Sequence, residues 1–168
     1  MKGPSRRRVR EIALQAVYEI EVGCQETTKV INRYVKEEEL PEGPKTFLRG
    51  IVRGTIRYLK QVDEIIEKLS RGWKLERIAK VDLSILRLAI FEALIGIKDE
   101  DITDAIIINE AVVLAKKFSS KDSGKFVNGI LATLIKQKDE WREYVKKRRK
   151  EMREEGKVDE DDSGMLED

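Results

Sequence analysis

The 168-residue chain contains no histidine and a single cysteine, Cys24. The first absence removes the usual zinc ligand sets and every histidine-based triad or acid–base scheme, and the second removes an internal disulfide. A lone thiol without histidine is also a poor nucleophile. No apolar run reaches the roughly 18 residues that a membrane span needs. The best run, Leu88 to Ile97, is interrupted by Glu92, and the basic N-terminus is not followed by an apolar segment. The chain is therefore expected neither to span a membrane nor to be secreted. Gly124–Lys125 lacks the other glycines and the preceding strand of a phosphate-cradling loop, so an ATPase is not expected. The acid runs Glu37–Glu38–Glu39 and Asp99–Glu100–Asp101 join sequence neighbours and carry no signature of an acid–base pair. The sequence calls for no metal, no cofactor and no catalytic residues.

What is abundant is charge, at 39% of residues against the usual share of roughly 25%. The net charge of +2 conceals a segregation along the chain. Residues 151–168 hold nine acids and two bases, a net of −7, so residues 1–150 carry +9. A basic body with an acidic end fits a polyanion-binding domain, although a terminal charge run is more commonly just solvated. The expected division is a helical domain over 1–140 and a charged extension over 141–168, helical at first and then disordered.

Apolar residues recur with a period near 3.6 almost throughout, and no alternating stretch makes a strand, so the fold class is all-α. Ser5 is placed to cap a first helix carrying Val9, Ile12, Ala13, Ala16, Val17 and Ile20, which Gly23 ends. A second helix follows a Thr27–Thr28 cap and stops before Pro41–Gly43–Pro44, the one strong linker signal. Phe47 to Leu59 and Val62 to Leu69 form one bent helix or two. Leu83 to Ile95, apolar nearly all round, reads as a central helix. Asp101 or Thr103 caps the next, Ser119 to Gly124 reads as a loop, and a last helix begins near Phe126 and runs toward Lys146–Lys150. The sum is a compact bundle of about seven helices.

Two segments carry candidate chemistry. Lys2, Arg6, Arg7, Arg8 and Arg10 put five bases and no acid into the first ten residues. The positive end of the helix dipole disfavours cations there, so something must offset the cost. Phosphate is one candidate, because the planar guanidinium fork matches its oxygens; pairing with Glu11, Glu19 or distant acids is the other. The second segment, Lys116 to Gly129, sets Phe118 and Phe126 around four lysines and short polar residues, the mixture that single-stranded RNA requires. Both rings also fit helical stripes, and spacing alone favours core packing for them. Trp73 and Trp141 read as packing or interface residues.

Arg6–Arg7–Arg8–Val9–Arg10–Glu11–Ile12–Ala13–Leu14–Gln15–Ala16–Val17–Tyr18, Ile85 to Glu92, Ile108 to Phe118 and Asp122 to Leu131 together resemble the NusB transcription antitermination factors. The four stretches stand in the family's order over about residues 5–135. The resemblance implies two packed helical subdomains, a bacterial cytoplasmic location and no enzymatic activity. It implies pairing with NusE, a small-subunit ribosomal protein, and binding of boxA-type single-stranded RNA of ribosomal RNA operons within an RNA polymerase antitermination complex. Carried across by position, the RNA face comprises Lys2, Arg6, Arg7, Arg8, Arg10, Phe118, Asp122, Lys125 and Phe126. The NusE face includes Tyr18, Glu76, Arg77 and Asp82. Asp122 opposes phosphate, so it is expected to weaken RNA affinity. A homodimer burying the arginine face, a protein-only scaffold, and a stand-alone module like the front domain of ribosomal RNA cytosine methyltransferases are the alternatives. The methyltransferases themselves need a following cofactor-binding domain, for which no glycine-rich strand–helix unit is present, so the enzyme is not expected.

Overall fold

A computed structural model describes residues 3–96 and 99–157, and Lys2 and the acidic run beyond Lys157 lie outside them. The described residues form eight α-helices and one 3-10 turn, with no strand. They are α1 (Arg6–Val22), α2 (Thr27–Glu37), α3 (Glu42–Arg57), α4 (Leu59–Leu69), the turn Leu75–Arg77, α5 (Lys80–Leu94), α6 (Asp104–Phe118), α7 (Lys121–Lys136) and α8 (Lys138–Glu154). The all-helical reading holds, and the count exceeds seven because the chain breaks at Tyr58 and at Gln137.

The caps explain most boundaries. The Ser5 hydroxyl accepts from the Arg8 amide at 3.2 Å and starts α1, and Gly23 closes it. For α2 the expected Thr27–Thr28 cap is replaced by Glu26, whose carboxylate accepts from Thr28 and Lys29 at 3.1 and 3.3 Å and so satisfies two orphan donors at once. The expected linker Pro41–Gly43–Pro44 is instead a helix start: Pro41 is the cap of α3, and Gly43 and Pro44 lie in its first turn. A missing proline N–H costs nothing there. Thr103, not Asp101, caps α6.

Helices α1, α2 and α3 pack together, as do α4, α6, α7 and α8 through shared neighbours, and α5 touches both groups. That is the two-subdomain arrangement. Twelve of the 15 residues of α5 are buried, which its all-round apolar sequence requires. Two buried ion pairs tie α5 to its surroundings. Arg87 grips Asp63 of α4 with two bonds of 2.8 and 2.9 Å, and Arg10 of α1 grips Glu92. Residue 140 falls inside α8, whose Val145, Arg149 and Met152 are buried and which packs against α4, α5 and α7. Glu64 of α4 accepts from Tyr144 at 2.7 Å and from Arg148 at 2.9 and 3.0 Å, and the Arg149 guanidinium lies 4.2 Å from the Tyr58 ring centroid.

Candidate nucleic-acid interface

The first turn of α1 is Arg6–Arg7–Arg8 and contains no acid. Carboxylates from elsewhere in the fold supply the missing negative charge. Arg6 pairs with Asp99 at 3.0 Å, Arg7 forms a two-bond fork on Glu110 of α6 with both distances 3.0 Å, and Arg8 bridges Glu11 at 3.0 Å and Glu38 at 2.8 Å. The expected pairing with Glu11 is present, whereas Glu19 is taken by Arg33 and by the Tyr34 hydroxyl. Arg7 holds the Glu110 carboxyl below the usual range by hydrogen bond and charge, against the opposing effect of burial. At Asp99 the first cause of a similar lowering is the Asp101 amide, with Arg6 adding to it.

Burial divides this cluster. Arg6 and Arg7 keep half of each side chain in solvent, and Arg8 a little less. Arg10, also expected on the RNA face, is only 6% exposed. Its guanidinium is committed to Glu92, so it serves as the floor beneath the other arginines. Arg6, Arg7 and Arg10, with Asp99, Asp101, Ile102, Ile106 and Glu110, line an open groove of about 360 Å³ between the start of α1 and the start of α6.

The second candidate segment is ordered differently from its expected form. Only Ser119 and Ser120 stand between α6 and α7, because Ser120 caps α7 by accepting from the Ser123 amide at 3.0 Å. The polar residues Lys121 to Gly124, expected in a loop, are thus the first turn of a helix. Ser119 and Ser123 share a hydroxyl contact of 2.8 Å, and the Ser123 hydroxyl donates to Asp82 at 2.8 Å. Asp82, expected on a partner surface, is therefore buried and clamps the start of α7 onto α5. Asp122 and Lys125 are exposed, and Phe118 and Phe126 are half-buried against the core, satisfying both the packing and the surface reading.

One side chain joins the two segments. Lys117 donates to Glu11 at 2.7 Å across 106 residues of sequence, and its ammonium lies 5.4 Å from the Phe118 ring centroid. Its hydrogen bond is the leading cause of the lowered Glu11 carboxyl pKa. The arginine turn of α1 and the α6–α7 corner consequently share a surface. Lys117 was visible in sequence only as one of four lysines, because nothing local reveals a partner so far away. Of the expected NusE-facing residues, Tyr18 is half-buried on α1, and Glu76 and Arg77 are exposed on the 3-10 turn.

Fold and site together define a helical protein whose cationic helix start lies beside an aromatic and lysine-bearing corner, a class suited to polyanions. The NusB family model matches residues 7–136, and the chain belongs to the NusB family. It is 42% identical over 133 residues to the transcription antitermination protein NusB of Acetivibrio thermocellus, covering 79% of this chain and 90% of that one. The solved structure of T. maritima NusB superposes with a TM-score of 0.73 at 31% identity, covering 81% of this chain and 94% of the other. A crystal structure of antitermination factors NusB and NusE in complex with double-stranded RNA shares the fold, with a TM-score of 0.68 at 23% identity over 78% of this chain and 96% of that one.

Proposed function

We propose that this chain is a non-enzymatic, cytoplasmic transcription antitermination factor that pairs with NusE and binds boxA-type single-stranded RNA of ribosomal RNA operons as part of an RNA polymerase antitermination complex. The carrying observation is the Lys117–Glu11 bridge, which sets the α1 arginines and the Phe118 corner side by side. RNA then meets phosphate-matching forks at Arg6, Arg7 and Arg8 and base-facing groups near Phe118, Asp122, Lys125 and Phe126. Exposed ion pairs are weak and screened, so a phosphate can take the place of Glu110 at Arg7 or of Asp99 at Arg6. The buried Arg10–Glu92 pair is not exchanged in this way, since leaving one buried charge alone is costly. Lys2, outside the described residues, adds charge to the same end. Tyr18, Glu76 and Arg77 are the proposed NusE contacts, with Asp82 supporting them from inside.

The test is fluorescence anisotropy of a labelled boxA RNA and a scrambled RNA over a salt series, with and without NusE. Preference for boxA, tightening by NusE, and a loss of affinity in Arg7→Ala with a shallower salt slope are the expected results. For single strands the slope changes by about 0.7 per phosphate contact removed. Equal, weak binding of both RNAs in every mixture would overturn the reading in favour of a protein-only scaffold.

A further inference from the structure

Trp73 is 57% exposed, the largest such value for a big apolar side chain among the described residues. Burying an indole is the ordinary way to gain from so large an apolar surface, so an exposed one calls for an occupant. Its ring lies against Phe126 of α7, with centroids 6.5 Å apart and planes tilted by 36°. The backbone beneath it is firmly shaped. Arg71 and Gly72 both take positive φ, 49° and 88°, and the Ser70 hydroxyl reaches the Trp73 carbonyl at 3.0 Å. A non-glycine residue held at positive φ is a conformation that the surrounding structure must impose. The turn thus projects the indole outward while pinning its main chain.

The charge around this ring differs from that on α1. Residues 71–80 contain Arg71, Lys74, Arg77 and Lys80 against Glu76 alone, a net of +3. All four cations are exposed, and so are Lys121 and Lys125 at the start of α7. None of these six has an acidic partner within 4.0 Å among the described residues, whereas each described arginine of the α1 cluster is held by a carboxylate. Cations without an acidic partner beside an exposed indole are complementary to a polyanion bearing flat bases. The patch is continuous with the surface described above, because Phe126 lies one turn beyond Asp122 on α7 and the Ser119–Ser123 contact ties that helix to the end of α6.

We infer that Trp73 and Phe126 form a base-stacking platform for single-stranded RNA, with Lys74 and Lys125 flanking it as phosphate contacts. This site rests on the RNA-binding reading and lengthens its footprint past the α6–α7 corner onto the turn before α5. Trp73 carries no charge, so its contribution is separable from that of the arginines: affinity falls on its removal, but the salt slope does not.

The experiment uses the full chain and a labelled boxA RNA, together with versions of that RNA made abasic at one position at a time, and compares wild type, Trp73→Ala, Trp73→Phe and Arg7→Ala. Trp73→Ala should weaken intact RNA about fivefold or more with an unchanged salt slope, and Trp73→Phe should restore most of the loss. At the stacked position the abasic RNA should bind wild type and Trp73→Ala alike, and NusE pairing should be unaffected. Undiminished RNA binding by Trp73→Ala while Arg7→Ala is impaired would remove the platform and leave the RNA-binding reading standing. Loss of NusE pairing with intact RNA affinity would reassign Trp73 to a protein interface. Absence of RNA binding by wild type in every mixture would remove both.

Discussion

Arg7 and Arg10 stand one turn apart on the same helix and have opposite jobs because of their burial. Arg10 and Glu92 are each about nine-tenths withdrawn from solvent, so Arg10→Ala leaves an unpaired carboxylate against the core. The expected cost is about 3–5 kcal/mol of stability, read from a denaturant midpoint. Arg7→Ala removes a half-exposed side chain but leaves Glu110, with only 13% of its side chain in solvent, without its fork, so the midpoint should fall by less than for Arg10→Ala while RNA affinity drops. Asp122 is the reverse case: exposed, acidic and on the proposed RNA surface. Asp122→Asn should tighten RNA binding roughly two- to fivefold in the same anisotropy measurement, the range of one exposed charge interaction. Equal or weaker binding would show that its carboxylate does not face the phosphates.

Among the elements, α3 and α5 meet at a place where only glycine fits. A Cβ built on Gly54 would lie 1.9 Å from the Phe91 ring, and Phe91 is itself buried against Tyr58, with ring centroids 6.0 Å apart. Gly54→Ala should therefore destabilise the fold by about 1–3 kcal/mol through overpacking, despite alanine's better helix propensity, and a lowered melting temperature would report it. At α8, the Tyr144 hydroxyl is pushed up to about 12, first by burial and then by its bond to Glu64, and Tyr34 is likewise raised to about 12 by burial and by Glu19. Both phenols are neutral in the fold to a higher pH than in the unfolded chain. Their contribution is thus complete below about pH 10 and is lost as pH rises toward 12. An alkaline ultraviolet titration should place Tyr34 and Tyr144 among the late-ionising tyrosines, and Tyr144→Phe should remove one from that group.

At the scale of the whole molecule, long-range ion pairs hold the helices in register, and their acids set the response to low pH. Glu11, Glu64 and Glu110 are all lowered, mainly by hydrogen bonds from Lys117, Arg148 and Arg7 respectively. Their stabilisation is present above the ordinary carboxyl range of about pH 4 and is lost as pH falls through the depressed folded values, so melting temperature should decline in that acid window. A flat profile there would mean that these pairs are not formed in solution. Local patterning was enough to show the all-helical class, the α1 start at Ser5 and the buried character of α5, because caps and a 3.6-residue apolar period act between near neighbours. The same locality misplaced the Pro41 linker, the Ser119–Gly124 loop and the single last helix, where Gln137, at φ −124° and ψ 35°, divides a pattern that runs smoothly through it. It could not separate Arg7 from Arg10, turn Asp82 inward, pair Lys117 with Glu11, or put Trp73 on Phe126. Those outcomes depend on burial and on partners tens of residues away, and a charged or aromatic residue acquires its role only when packing decides which of its neighbours exclude water.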